Sequence, residues 1–235
     1  MRPVTGAGVC RRTGSVLAIC LLLFSCQVAT ATSGCTLDLR RIRPLHGDAV
    51  AGKAKATACM GCHGAAGVAP VPAFPNLAGQ HAEYLYWQLV AFRREARADS
   101  PMTALAAPLD DAAMRDLAAY FASLPAAVPD AVQDASSVRG ARVYHGGDAG
   151  RGIPPCQGCH GVDGRGSPLA EADARWRAYP VLRGQHADYI VQRLAGFHAR
   201  TRGASTSACL MQGVARNLDD NAMRDIAAWL QAGRP

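Results

Sequence analysis

Cys59, Cys62 and His63 belong to the run Cys59-Met60-Gly61-Cys62-His63, and the same arrangement returns as Cys156-Gln157-Gly158-Cys159-His160. Two thiols separated by two residues, with a histidine directly after the second, form the attachment pattern of a c-type haem. The thiols add to the vinyl groups on one edge of the porphyrin, and the adjacent imidazole lies beneath the ring and ligates the iron. A zinc site would gather four ligands in one place, and a thioredoxin-like cysteine pair would stand between a strand and a helix without the trailing histidine. The pattern therefore predicts two covalently bound haem c groups, held by Cys59 and Cys62 and by Cys156 and Cys159, with His63 and His160 as iron ligands.

An iron held by histidine takes a sixth ligand unless it binds gas or substrate, and methionine in that place raises the potential. Met102 stands seven residues before Leu109 and Met211 seven before Leu218, which makes them equivalent candidates. Met114 and Met223 also pair, but they fall on the apolar face of a helix, where methionine is ordinarily core, and Met60 lies inside the first C-x-x-C. Cys209, two residues before Met211, is the competing ligand and would give a thiolate haem of low potential. Its counterpart in the first copy is Ser100. Around these ligands, Pro75 and Pro180 offer carbonyls to the second ring nitrogens of His63 and His160. Arg97 and Arg202 occupy equivalent positions and suit haem propionates, with solvated helix-end arginines as the alternative. His81 and His186 repeat beside an acidic residue at a helix start, where a structural role is the simpler reading.

These ligands need elements to position them, and the chain supplies the set twice. Phe74-Pro75-Asn76-Leu77-Ala78-Gly79-Gln80-His81 answers to Tyr179-Pro180-Val181-Leu182-Arg183-Gly184-Gln185-His186, and Leu109-Asp110-Asp111 answers to Leu218-Asp219-Asp220. His46-Gly47-Asp48 likewise lines up with Gly146-Gly147-Asp148. Each copy reads as helical: a short helix from about Ala51 into Cys59, a middle helix from about His81, and a last helix capped by Asp110. In the Pro-x-Leu-x-Gly segments proline holds a turn, and glycine is expected to let the backbone run close to the porphyrin. No strand pattern emerges. The expected organisation is a signal peptide over 1–31, a first domain over 32–123, a proline-containing linker over 124–140 and a second domain over 141–235. Each domain has a modest apolar core, which the porphyrin would complete.

Residues 1–31 have the form of a secretory signal: Arg2, Arg11 and Arg12, then an apolar run from Val16 to Cys26, then Ala29-Thr30-Ala31. A rival reading places a lipid anchor on Cys35. Removing the signal leaves 22 basic against 18 acidic residues. The basic residues are scattered, which argues against a nucleic-acid partner. Cys10, Cys20 and Cys26 leave with the signal, so Cys35 and Cys209 are the cysteines outside the two motifs, and they could pair in an oxidising compartment.

From about Gly47 onward this constellation resembles the dihaem class-I cytochromes c of the cytochrome c-four family. The carriers are C-x-x-C-H-Gly, the Phe/Tyr-Pro-x-Leu-x-Gly-Gln segment, the middle-helix Tyr with Phe92 or Phe197, and the Met before Leu-Asp-Asp, each given twice. The resemblance implies an all-α protein of two tandem class-I cytochrome c domains, each wrapped around one covalently bound haem c. It also implies a periplasmic carrier passing electrons from a quinol-oxidising complex or a dehydrogenase to a terminal oxidase. No separate acid, base or nucleophile cluster argues for an enzyme. The neighbouring readings are the haem subunit of a periplasmic dehydrogenase for a sulfur compound or an alcohol, and a dihaem peroxidase-like enzyme, which would need one displaceable iron ligand. Membrane association would come through a partner or a lipidated Cys35. Glu95 and Arg200 stand where the family often has glycine. The span from His160 to Met211 exceeds that from His63 to Met102 by twelve residues, eight of them before Gly184 and four between Arg202 and Met211.

Overall fold

The computed structural model describes residues 34–94, 97, 100–128 and 134–232. The signal segment with Cys10, Cys20 and Cys26, Glu95, and the linker residues Pro129 and Asp130 lie outside them.

In the first domain Asp48 caps α1 (Ala49–Lys55) through Val50 and Ala51 N–H, and α2 (Thr57–His63) follows. One helix was expected here, ending near Cys59. The chain instead bends at Ala56, whose N–H bonds to the carbonyl three residues back, tightening the turn, and α2 continues through His63. Next come α3 (Ala82–Arg93), α4 (Pro101–Ala106) and α5 (Asp111–Ser123), the last capped by Asp110 as its sequence predicts.

The second domain opens earlier than expected. Asp134 and Ser137 form a reciprocal capping box at the start of α6 (Ala135–Gly146), so helix replaces the end of the linker expected over 124–140, from Ala135 onward. This also corrects the pairing of Gly47-Asp48 with Gly147-Asp148. Asp148 starts only a single 3₁₀ turn, Ala149–Arg151, while Asp134 does for α6 what Asp48 does for α1. The helix crossings agree. Gly52 on α1 lies so close to α5 that a Cβ would run into the Asp116 carbonyl, and Gly140 on α6 meets Asp225 in the same way. Then follow α7 (Gln157–His160), α8 (Ala187–His198), α9 (Thr206–Ala215) and α10 (Asp220–Gln231). No strand forms among the described residues, whose extended pairing is confined to isolated bridges such as Leu37 with Ser205 and Asp148 with Ile153, so the fold is all-α.

Each domain has its own apolar cluster. Met114, Leu117 and Phe121 of α5 anchor the first, and Met223, Ile226 and Leu230 of α10 anchor the second. Met114 and Met223 are 0% and 3% exposed, which fits their reading as core.

The domains meet through the two Pro-x-Leu-x-Gly-Gln segments, related by a local two-fold. Gln80 accepts from Val181 N–H (2.8 Å) and donates to Val181 O (2.9 Å). Gln185 accepts from Asn76 N–H (2.8 Å) and donates to Asn76 O (3.0 Å). His186 Nε2 donates to Ala69 O at 3.0 Å, and the His81 ring lies against Gly166, so both repeated histidines are interface residues. Gly79 adopts φ 69°, and its α-carbon packs on the Ala126 backbone, while its N–H donates to Phe121 O. The close approach expected toward the porphyrin is thus made to the chain at the end of the last helix. Gly184, at φ 79°, repeats the bond to Leu230 O.

A strap from the N-terminal side ties the two domains further. Leu37 and Leu39 are buried in the first cluster, yet Leu37 N–H donates to Ala204 O (3.0 Å) and Leu37 O accepts from Thr206 N–H (2.9 Å) in the second domain. Cys35 and Cys209 form a disulfide with Cα atoms 6.1 Å apart.

Candidate functional site

His63 ends α2 and His160 ends α7, each 5% exposed. His63 Nδ1 lies 2.9 Å from Pro75 O, and His160 Nδ1 lies 3.0 Å from Pro180 O. A carbonyl only accepts, so Nδ1 carries the proton in both rings and Nε2 keeps its lone pair for a metal. Burial holds both imidazoles below the usual histidine range, which favours the neutral, ligating form. An aromatic ring stands edge-on to each at 6.3 Å, Phe74 in one domain and Tyr179 in the other. The expected bonds to the Pro75 and Pro180 carbonyls are therefore present.

One continuous cavity of about 550 Å³ runs through both domains. Cys59, Cys62, His63 and Met102 line one part, and Cys156, Cys159, His160 and Met211 line the other. Burial pushes the Cys59 thiol up and the Cys156 thiol up to about 11. Met102 lies in the first turn of α4 and Met211 in the middle of α9. The four extra residues between Arg202 and Met211 amount to about one helical turn. α9 begins that much earlier relative to its methionine, so Met211 keeps its place before α10.

The cavity's polar part is the seam between the domains. Arg202, 8% exposed, donates through Nη2 to Tyr84 Oη (3.2 Å) and Gln88 Oε1 (3.1 Å), and Arg97 Nη1 reaches the same Gln88 oxygen at 2.7 Å. Arg193 joins them on the lining, which among the described residues includes no aspartate or glutamate. Burial, with Arg202 nearby, pushes Arg97 down to about 9, and burial lowers Arg193 as well. Arg202 Nη1 and Arg193 Nε are buried without a hydrogen-bond partner. Three crowded guanidiniums with spare donors fit an anionic group, and the apolar walls fit a flat macrocycle, so the lining suits haems with their propionates at the seam.

Two alternatives from the sequence are corrected. The Cys209 sulfur is bonded to Cys35, which removes it as the thiolate competitor of Met211 and removes the Cys35 thiol as a lipid site. The sequence reading marked Gln88 only by its helical spacing on the middle helix and gave neither it nor Arg193 a site role, although they are equivalent positions nine residues after Gly79 and Gly184. It also passed over the interface role of Gln80 and Gln185, which the repeat already displayed.

Two thiol pairs, two neutral imidazoles and two thioethers along one continuous cavity define a dihaem c-type cytochrome. The family profile "Cytochrome c" matches residues 49–125 and again 137–233. Cytochrome c4 of Thiocapsa roseopersicina is 40% identical over 190 residues, covering 80% of this chain and 94% of that protein. The crystal structure of reduced recombinant cytochrome c4 from Pseudomonas stutzeri superposes with a TM-score of 0.71 at 34% identity, over 80% of this chain and 100% of that one. A protein named thiosulfate dehydrogenase electron acceptor, from Thiomonas intermedia, is 34% identical over 184 residues, 76% of this chain and 79% of its own. The chain belongs to the cytochrome c family, among its dihaem cytochrome c4 members, and is an electron-transfer protein carrying two haem c groups.

Proposed function

We propose that this chain is an exported, periplasmic electron carrier with two methionine/histidine haems. Cys59 and Cys62 hold one haem, with His63 and Met102 on its iron. Cys156 and Cys159 hold the other, with His160 and Met211. The observation that carries this reading is the local two-fold order of the cavity, in which each part offers two thiols, one neutral imidazole and one thioether.

The haem supplies a one-electron iron couple when bound. The chain's own residues do the rest. Pro75 and Pro180 fix the imidazole tautomers, α4 and α9 carry the thioethers that would serve as the second ligands, and the apolar clusters exclude water. Arg97 and Arg202 would balance propionate charge at the seam. Met102 and Met211 would join His63 and His160 in holding the two irons and would leave no position open to substrate, which disfavours the peroxidase-like reading. Reduction would come from a quinol-oxidising complex or a dehydrogenase and oxidation by a terminal oxidase. The thiosulfate dehydrogenase electron acceptor among the relatives favours a sulfur-compound dehydrogenase as one such donor.

Met102→Ala and Met211→Ala test the ligand assignment. Each should abolish one of two methionine-to-iron charge-transfer bands and lower one potential, leaving the other haem as it was. An unchanged spectrum in Met211→Ala would refute the second site.

A further inference from the structure

Both interface glutamines bond to one particular peptide. The carbonyl that receives His63 Nδ1–H belongs to Pro75, and the N–H that Gln185 accepts from belongs to Asn76. These are the two ends of a single peptide unit. In the other domain His160 Nδ1–H meets Pro180 O, and Val181 N–H of the same unit meets Gln80 Oε1. The peptide bonds of the described residues are all trans, so N–H and C=O point in opposite directions and share one conjugated system. A hydrogen bond at the N–H end therefore polarises the oxygen end. Each glutamine amide also donates to the carbonyl of the residue whose N–H it takes, Asn76 O for Gln185 and Val181 O for Gln80. That double contact fixes which amide atom is oxygen.

We propose that Gln80 and Gln185 are positioning residues that tune the haem of the opposite domain. Each holds and polarises the peptide to which that domain's proximal histidine donates. The proposal rests on the assignment of His63 and His160 as iron ligands. Chains of hydrogen bonds strengthen one another, and partners of a ligating histidine raise its basicity. A stronger acceptor at Nδ1–H makes the imidazole a better electron donor and favours ferric iron. Removing the glutamine oxygen should thus raise the potential, and should do so across the interface. A glutamine serving only as interface adhesive would have no reason to select this peptide in both copies, nor to act on one haem alone.

The test is a redox titration of holoprotein in which NMR separates the two haems, on Gln185→Leu and Gln80→Leu. Gln185→Leu should shift the reduction equilibrium of the first-domain haem two- to threefold toward ferrous, about 20–30 mV for one electron, and Gln80→Leu should do the same to the second-domain haem. Gln185→Glu keeps an acceptor, strengthens it, and should move the first-domain haem the opposite way. Equal shifts of both haems, a shift confined to the glutamine's own domain, or unmoved potentials would each overturn the proposal, provided both methionine-to-iron bands are retained. If those bands are absent from the wild-type protein, the ligand assignment has failed instead.

Discussion

Arg202 shows what a single side chain contributes here. The residue is 8% exposed, its guanidinium bonded to Tyr84 and Gln88 of the other domain, with one nitrogen unpartnered. In general, at an effective dielectric of about 20 a unit charge on the order of 10 Å from another is worth about 1–2 kcal/mol. Arg202→Met should therefore lower at least one haem potential by an amount of that order, measured by potentiometry, because ferric iron carries the additional positive charge. The thiols and imidazoles proposed to bind haem could be singled out in the sequence because a five-residue motif is local chemistry, and the structure brings them to one cavity. The repeat then chose among the methionines and marked Arg97 and Arg202. The seam itself was not legible. It joins Tyr84 to Arg202 across 118 positions, and nothing local encodes that approach.

At the scale of elements the repeat was a good guide where both copies use the same residues and a poor one where they do not. Asp110 and Asp219 cap α5 and α10 as the matching Leu-Asp-Asp segments require. The match of Gly47-Asp48 with Gly147-Asp148 misled, because the second domain grows its first helix from Asp134 and spends Asp148 on a turn. The signal was present in the capping residues Asp134 and Ser137, but the small residues between them read as linker. Arg200 is a further element-level departure. It follows α8 at φ 57°, the left-handed conformation that glycine takes without strain. Arg200→Gly and Arg200→Ala both remove the side chain, so their difference isolates the backbone. The glycine variant should be more stable by about 1 kcal/mol in thermal or denaturant unfolding.

Across the whole molecule, the two insertions that enlarge the second domain both serve its junction with the first. The earlier insertion forms the 3₁₀ turn Ala174–Ala178, which packs on α3 and buries Ala178 in the first domain's cluster. Arg177 there pairs at 3.2 Å with Glu83, a 3% exposed carboxylate that also accepts from Leu45 N–H. The later insertion is the added turn of α9, which carries Cys209 to the strap and its disulfide. The sequence marked these insertions and Cys209 as unusual, but their purpose depends on contacts more than 90 positions apart. The disulfide closes a loop with a sequence separation of 174. Its loss in Cys35→Ser with Cys209→Ser should cost roughly 2–5 kcal/mol of unfolding free energy. The haem spectra should be unchanged, because neither sulfur is an iron ligand; a changed spectrum in that variant would return Cys209 to the second site.

The central claim is that one chain holds two haems of the same methionine/histidine kind. A spectroscopic redox titration of the mature protein, with its intact mass, tests it most directly. The account predicts a mass equal to the chain after Ala31 plus two haems and no lipid, methionine-to-iron charge-transfer absorption at both sites, and two one-electron steps in the high-potential range. A single haem, or one site that is high-spin or titrates at the low potential of thiolate ligation, would contradict it.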